Sequence, residues 1–518
     1  MKKFFSNILL VAALFAVAAC DSLDLQPESE ITDANYWQTT DHFSAFNVGI
    51  HSYFRNYSYN YFLLGEPRAD IYGDTPFGGE ATQGMERFPY NTISEVQPGI
   101  SNYAGLYNVI NQCNLMISKT TDTSVLSDTD RKYFLGAAYG IRAYLYFHLL
   151  RSWGDAIVYL DYTNGATLDL SKLNRKQDAA AEVMAQIKKD IQASEEAFGT
   201  SYAFTKGKYY WSLGATKMLK GEVYLWSGKQ MNGGSSDYQT AKTALQEVKN
   251  CPNVALLPDF ANVFSFNNKL NNEIIFAFVS NENEFDLWSG SYRSNLLPQQ
   301  AYMNNGSYYD ETGTNIKETK DSQINGLTRL AIKKDLYLKL YREGDSRKAA
   351  SLKAVYNKNA AGELVYVAPF AYKFQGTMLT GGSTRSMLDD YPIYRYSDCL
   401  LLLAEAKAFL NEDITAEINE VRKRAYGSNY SETVAYPNDK GDFYTDNKFV
   451  SGDEDPSEAI LKERFREFLF EGRRWYDIRL FGLTSKYSTA SADKLLWPID
   501  QSTLTNNNLL EQTPGYKD

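Results

Sequence analysis

The sequence predicts a mainly α-helical protein, with tetratricopeptide-like helix pairs forming a helical body and an irregular, loop-rich half beside it. Three observations point there. Long amphipathic segments dominate and strand-like alternation is scarce. Two segments carry the spacing of paired helices, which stack because neither helix can bury its apolar face alone. Long aperiodic stretches rich in aromatics separate them. At 44% hydrophobic and 22% charged, the 518-residue chain has a folded composition. Its 53 Lys+Arg against 63 Asp+Glu give a net charge of −10, which argues against nucleic-acid binding.

In chain order, residues 102–119 place Leu106, Val109, Ile110, Cys113 and Ile117 at helical spacing. Asp130 stands ready to cap a second helix over 131–152, with Phe134, Ala138, Ile141, Leu145 and Leu149 on one face. Residues 179–198 repeat the pattern with Val183, Ile187 and Ile191. Helices over 209–229 and 237–250 follow. There Gly221, Tyr224, Tyr238, Ala241, Leu245 and Pro252 fit a tetratricopeptide pattern, with roughly eight extra residues around Asn232–Gly234 expected to lengthen the turn. Residues 394–411 and 414–425 form a second pair.

Between the pairs, Glu273 to Val279 reads as an apolar strand. An aperiodic, aromatic-studded loop then runs over 281–325; another spans 73–97 with Gly78, Gly79 and Gly84 as hinges, and a third, 427–453, has fewer aromatics. Gly344-Asp345-Ser346-Arg347 reads as a turn whose acid and base brace each other. Asp455-Pro456-Ser457-Glu458 is a strong helix start. One helix is expected to continue from there through Glu463–Asp477, its arginines and glutamates clamping neighbouring loops, with a binding or catalytic charge cluster as the alternative.

The first residues address the compartment. Lys2 and Lys3 precede an uncharged run, Ile8 to Ala19, of signal-peptide rather than membrane-span length. Val17-Ala18-Ala19-Cys20 resembles a lipobox, where Cys20 is lipidated and becomes the new N-terminus; an ordinary signal peptide with an incidental cysteine is the alternative. Acyl chains at ~0.8 kcal/mol per buried methylene anchor a protein durably. The expected organisation is thus a signal peptide over 1–19, a lipidated tether over 20–30 and a single body over 31–518. Within the body, helical repeats occupy about 100–252 and 392–482, and a loop-rich portion about 56–100 and 253–391. Setting Cys20 aside leaves Cys113, Cys251 and Cys399, an odd number that implies no disulfide framework. Three histidines (His42, His51, His148) are too few for a histidine-rich metal centre, and no cofactor is expected.

The whole chain from Cys20 to Tyr516 resembles the SusD/RagB family of outer-membrane lipoproteins, the glycan-capturing partners of TonB-dependent transporters in Bacteroidetes-type bacteria. The carriers are the lipobox, Ile31-Thr32 with Tyr36-Trp37, Ala45 to Tyr53, Tyr107 to Asn114, and Arg142-Ala143 through Asp155. Pro392 to Asp398, Ala404-Glu405-Ala406, Asn419 to Ala425 and Glu463 to Arg479 continue the series. Trp497-Pro498-Ile499-Asp500, Asn506 and Gln512 to Tyr516 complete it, with Asp500 and Thr513 departing slightly from the usual pattern. The resemblance implies a SusD-like helical fold and a surface-exposed, lipid-anchored protein without catalytic activity, seated as a lid on a SusC-like TonB-dependent transporter in the outer membrane. Its motifs look like fold and docking determinants, so no ligand residue is carried over from them.

Site candidates come instead from chemistry. Sugars ask for flat aromatic platforms and for polar forks that reach hydroxyls. The 281–325 loop offers Phe285, Trp288, Tyr292, Tyr302, Tyr308 and Tyr309, and the earlier region offers Arg68, Asp70, Tyr72 and Phe77. Trp288, amid Asp, Ser and Gly, is the leading platform. The expected function is capture of oligosaccharides for delivery to the transporter, with oligopeptide capture as the alternative. A surface glycosidase or a ligand-free scaffold ranks lower. With 63 acids, carboxylate pairs in the sequence mean nothing, and no phosphate loop, His-Glu-x-x-His or nucleophile elbow occurs.

Overall fold

The computed structural model describes residues 35–100, 103–163, 174–287 and 291–517. The expected leader, Cys20 and its tether lie outside these residues, as does Trp288. The chain opens with α1 (Thr40–Asn56), α2 (Ser58–Gly65), α3 (Tyr103–Thr121), α4 (Asp128–Trp153), α5 (Ala180–Phe198), α6 (Leu213–Gln230) and α7 (Gly234–Lys249). Strand β1 (Ile274–Phe278) and the short helices α8 (Ser291–Leu296), α9 (Gln300–Met303), α10 (Lys334–Lys339) and α11 (Arg347–Ser351) follow. Then come β2 (Leu352–Lys358), β3 (Leu364–Ala371), β4 (Tyr391–Arg395), α12 (Tyr396–Phe409) and α13 (Thr415–Tyr426). The chain closes with α14 (Pro456–Phe468), α15 (Arg474–Leu480), α16 (Thr484–Tyr487) and α17 (Gln501–Asn506). The mainly helical class expected from the sequence is the one observed.

Helices α3 to α7 stack in sequence order, and α12 packs on α7, joining the two helix pairs into one layer. Close approach explains the tetratricopeptide glycine: a Cβ on Gly221 would lie 2.6 Å from the Leu245 side chain across the α6–α7 contact. Helix α4 is central. Its expected stripe is buried, but so is its opposite face, Arg142, His148 and Arg151 included. Arg142 is accommodated by a fork onto Asp190 of α5, at 2.8 and 2.6 Å. An apolar core runs unbroken from Trp37 to Tyr516 through the helix pairs and the loop-rich half.

Several boundaries differ from the sequence reading. Helix α4 begins earlier, because Ser127 Oγ accepts from Asp130 N at 3.1 Å; Asp130 is the third residue of the helix, not its cap. The turn between α6 and α7 is only residues 231–233, so the surplus extends α7 backwards to Gly234. The charged segment is two helices. It breaks between Phe468 and Arg474, where Phe470 and Gly472 take φ of +69° and +72°. The helix start is as read: Asp455 accepts from Ser457 N at 2.8 Å and Pro456 occupies the first position.

That break turns α14 and its exit into a clamp. Arg395, with no solvent exposure, donates to Glu273 (2.8 Å), Glu467 (2.6 Å) and Glu471 (2.9 Å). Arg347 reaches Asp345 at 2.7 Å and Glu463 at 2.7 Å, so the expected brace within the 344–347 turn also ties it to α14. Arg422 joins Asp453 and Glu463 at 2.8 Å each. Burial alone would raise the Glu463 carboxyl, yet the Arg347 and Arg422 guanidiniums hold it down at about 2. The cluster is therefore a structural network that locks β4, α12, α13 and the loops over α14. Cys113, Cys251 and Cys399 are free and buried. No helix of the described residues is long and apolar enough to cross a membrane.

Candidate functional site

The two aromatic loops, distant in sequence, meet in space. Phe77 packs edge-on against Tyr308, with ring centroids 5.9 Å apart. Gly79, at φ +87°, lies so close to Tyr302 that a side chain there would collide with the Tyr302 hydroxyl. Glu80 Oε1 accepts from Gln299 N at 2.6 Å, and Arg329 Nη1 donates to Ala81 O at 3.1 Å. Burial pushes the Glu80 carboxyl upward, consistent with a group enclosed between the loops. The first loop thus acts as backing for the second.

Tyr302, Tyr308 and Tyr309 stay half-buried, and Asn304 and Asn305, which lie between the first two in sequence, are exposed. The Tyr309 backbone exchanges hydrogen bonds with Tyr356 at 2.8 Å in both directions, tying the tyrosine pair to β2. Lys358 Nζ stands 4.1 Å from the Tyr309 ring centroid, an attractive cation–π distance. Asp310 Oδ1 accepts from Thr312 N and Thr314 N, at 2.9 and 3.0 Å, and closes the following turn. Burial raises the Tyr308 phenol, which stays protonated and able to donate. Against the first loop lies a cavity of about 220 Å³ lined by Asp74, Thr82, Tyr90 and Arg329. Such an arrangement offers ring surfaces, amide forks and a cation, suited to a neutral, hydroxylated ligand.

Phe285 belongs to another place. It sits under Arg55, whose guanidinium carbon is 4.2 Å from the ring centroid. Arg55 lines a groove of about 470 Å³ with Tyr209, Tyr210 and Asn281, to which none of the three tyrosines contributes.

Five of the residues expected at the ligand are interior, and burial corrects that expectation. Arg68 is fully buried between Trp475 and Trp497, 4.5 and 5.0 Å from their rings, and donates to Leu496 O at 2.7 Å. Asp70 is the fork partner of Arg474, at 2.9 and 2.8 Å. The Tyr72 hydroxyl donates to Glu66 at 2.7 Å, with the ring out of solvent. Phe77 is the buried prop of Tyr308, and Tyr292 is buried with its hydroxyl on Phe470 O at 2.5 Å. These side chains seat the loops and present no face to a ligand. Lys358, beside Tyr309, and Arg329, on Ala81 of the first loop, were not among the sequence candidates. Nothing local marks them, since each comes from a segment outside both loops.

A helical scaffold thus holds two interlocked loops that carry exposed amides and half-buried rings. Among the described residues, no group of three or more His, Cys, Asp and Glu side chains is placed to hold a metal ion. Comparisons with known proteins agree with the fold. A model described as the SusD family matches residues 260–492, and one described as starch-binding, associating with the outer membrane, matches residues 23–208. The solved structure of B. fragilis NanU is 60% identical, covering 95% of this chain and 100% of its own, with a TM-score of 0.91. A SusD superfamily protein from Bacteroides vulgatus is 56% identical over 93% of this chain and 100% of its own, with a TM-score of 0.89. SusD-like protein P38 of Formosa agariphila is 24% identical over 100% of both chains. The chain belongs to the SusD family.

Proposed function

We propose that this chain captures oligosaccharides on the Tyr302–Tyr308–Tyr309 face and passes them to a partner TonB-dependent transporter. It acts by binding alone, held on the exterior of the outer membrane by a lipid on Cys20. The observation that carries the reading is the interlock of the two loops, which leaves three tyrosines half-exposed and Asn304 and Asn305 exposed. The family description as starch-binding and outer-membrane-associated supports the same ligand class and compartment. Two or three stacked rings at ~1 kcal/mol each, plus a few net hydrogen bonds, give roughly millimolar to micromolar affinity. That range suits a protein that must release its ligand to a transporter.

The test is titration calorimetry of the purified full-length chain against oligosaccharides and mixed oligopeptides. Heat with one glycan class is expected. Tyr308→Ala should weaken that binding about fivefold to tenfold, the value of one ring platform. Trp288→Ala, chosen on sequence grounds, is compared alongside. Heat with peptides and silence with every sugar sinks the proposal.

A further inference from the structure

A cleft of about 640 Å³ begins one residue beyond the tyrosine pair. Asp310, next to Tyr309, and Phe443, from the third irregular stretch, both line it. Adjacent Cα atoms are ~3.8 Å apart, so the turn that carries the tyrosines also bounds this cleft. Phe443 is 56% exposed and Leu338, also lining the cleft, is 53% exposed.

Single exposed apolar residues are ordinary, but Phe443 is mounted. Arg342 lies over one face of the ring, its guanidinium carbon 3.8 Å from the centroid, and Arg342 is itself held by Asp439 at 2.6 Å. The next residue, Tyr444, is buried; its hydroxyl donates to Asp439 at 2.6 Å and accepts from Arg466 Nη2 at 2.9 Å. The ring is thereby pinned through its own back face and through its neighbour. A platform ordered in advance loses little freedom when a ligand lands on it. Also on the cleft wall, Lys348 Nζ sits 4.4 Å from the Tyr337 ring centroid, and the Tyr337 hydroxyl meets Glu311 at 3.2 Å. The cleft therefore combines a rigid ring with charged hydrogen-bonding groups on its walls, and its volume is that of a small-ligand site.

We propose that this cleft is a second saccharide subsite, taking further units of a glycan whose first units rest on the tyrosine face. A pyranose C–H face stacks on the free side of Phe443, and Lys348 and Glu343 meet its hydroxyls. This rests on the proposed function and adds a consequence: the protein selects for chain length.

The experiment uses the full chain in detergent, as wild type, Phe443→Ala and Tyr308→Ala. Each is titrated with gluco-, manno- and xylo-oligosaccharides graded from two to eight units. Wild type is expected to bind long members of one series more tightly than the disaccharide. Phe443→Ala should erase about fivefold to tenfold of that gain and leave disaccharide binding unchanged, whereas Tyr308→Ala should weaken both. If Phe443→Ala fails a thermal melt, Phe443→Leu keeps the bulk and removes the flat face. Undiminished binding of long chains by the Phe443 variant, with Tyr308→Ala still impaired, overturns the subsite and leaves the tyrosine face standing. Wild-type affinity that does not grow with length overturns it too. No binding to any series overturns the underlying reading and this inference with it.

Discussion

Replacing Arg395 with methionine tests the clamp over α14. The guanidinium is fully buried and serves three carboxylates with no exposure, Glu273, Glu467 and Glu471. Removing one partner of a buried ion pair costs ~3–5 kcal/mol, because a charge is left uncompensated. Here each carboxylate keeps another cation: Arg424 on Glu273 at 3.0 Å, Arg347 on Glu467 at 3.1 Å and Lys373 on Glu471 at 2.7 Å. No carboxylate is stranded, so the loss should sit near ~3 kcal/mol, not at three times that. With an unfolding entropy of ~2.1 cal/mol/K per residue, a chain of about 500 residues shifts by about 1 °C per kcal/mol, or about 3 °C in Tm.

The assay is a circular-dichroism melt at pH 7 and again near pH 4. Burial alone would raise the Glu471 carboxyl, but Arg395 and Lys373 hold it below the usual range. Stability from a depressed carboxyl is present above its unfolded value and lost as pH falls toward the folded one. The deficit of Arg395→Met should therefore be full at pH 7 and smaller at pH 4. An unchanged Tm at pH 7, or a deficit that widens on acidification, would refute the reasoning.

Glu405 makes the opposite pH prediction. It is fully buried, neither carboxyl oxygen has a hydrogen-bond partner among the described residues, and burial lifts its carboxyl to about 8, Arg464 offsetting only part. Its folded value lies above the unfolded one, so its contribution is fully present below about pH 4.3 and is lost as pH rises toward 8, at ~1.4 kcal/mol per unit. Glu405→Gln should raise Tm by a few degrees at pH 8 and leave it unchanged at pH 4; equal melts at both ends count against it. Gly221→Ala should lower stability by ~1–3 kcal/mol in urea titration, since the added methyl meets Leu245 at 2.6 Å, and a neutral effect would mean that the α6–α7 contact yields.

Local sequence carried the helices, because apolar spacing and caps act within a turn or two. Asp455 and Pro456 start α14 as read, the α5 stripe is buried as spaced, and so is the α3 stripe except for Ile117, which is only half-buried. The clamping role of the Glu463–Asp477 segment was also legible, since alternating charges and rings on one helix need partners from elsewhere. Its break was not. Phe470 adopts a left-handed backbone because packing around the exit of α14 requires it, and no local signal marks a phenylalanine for that conformation.

The site divides along the same line. Composition and aperiodicity singled out the two loops, since long aromatic loops are poor candidates for disorder. Which rings face outward was a tertiary decision. Tyr72, Phe77 and Tyr292 look like Tyr302, Tyr308 and Tyr309 in sequence, yet the first three are interior and the last three half-exposed. A helix or strand declares its buried face through its period. A loop has none, so the segments packed over it, here β2, α14 and the other loop, decide which side chains are left for a ligand.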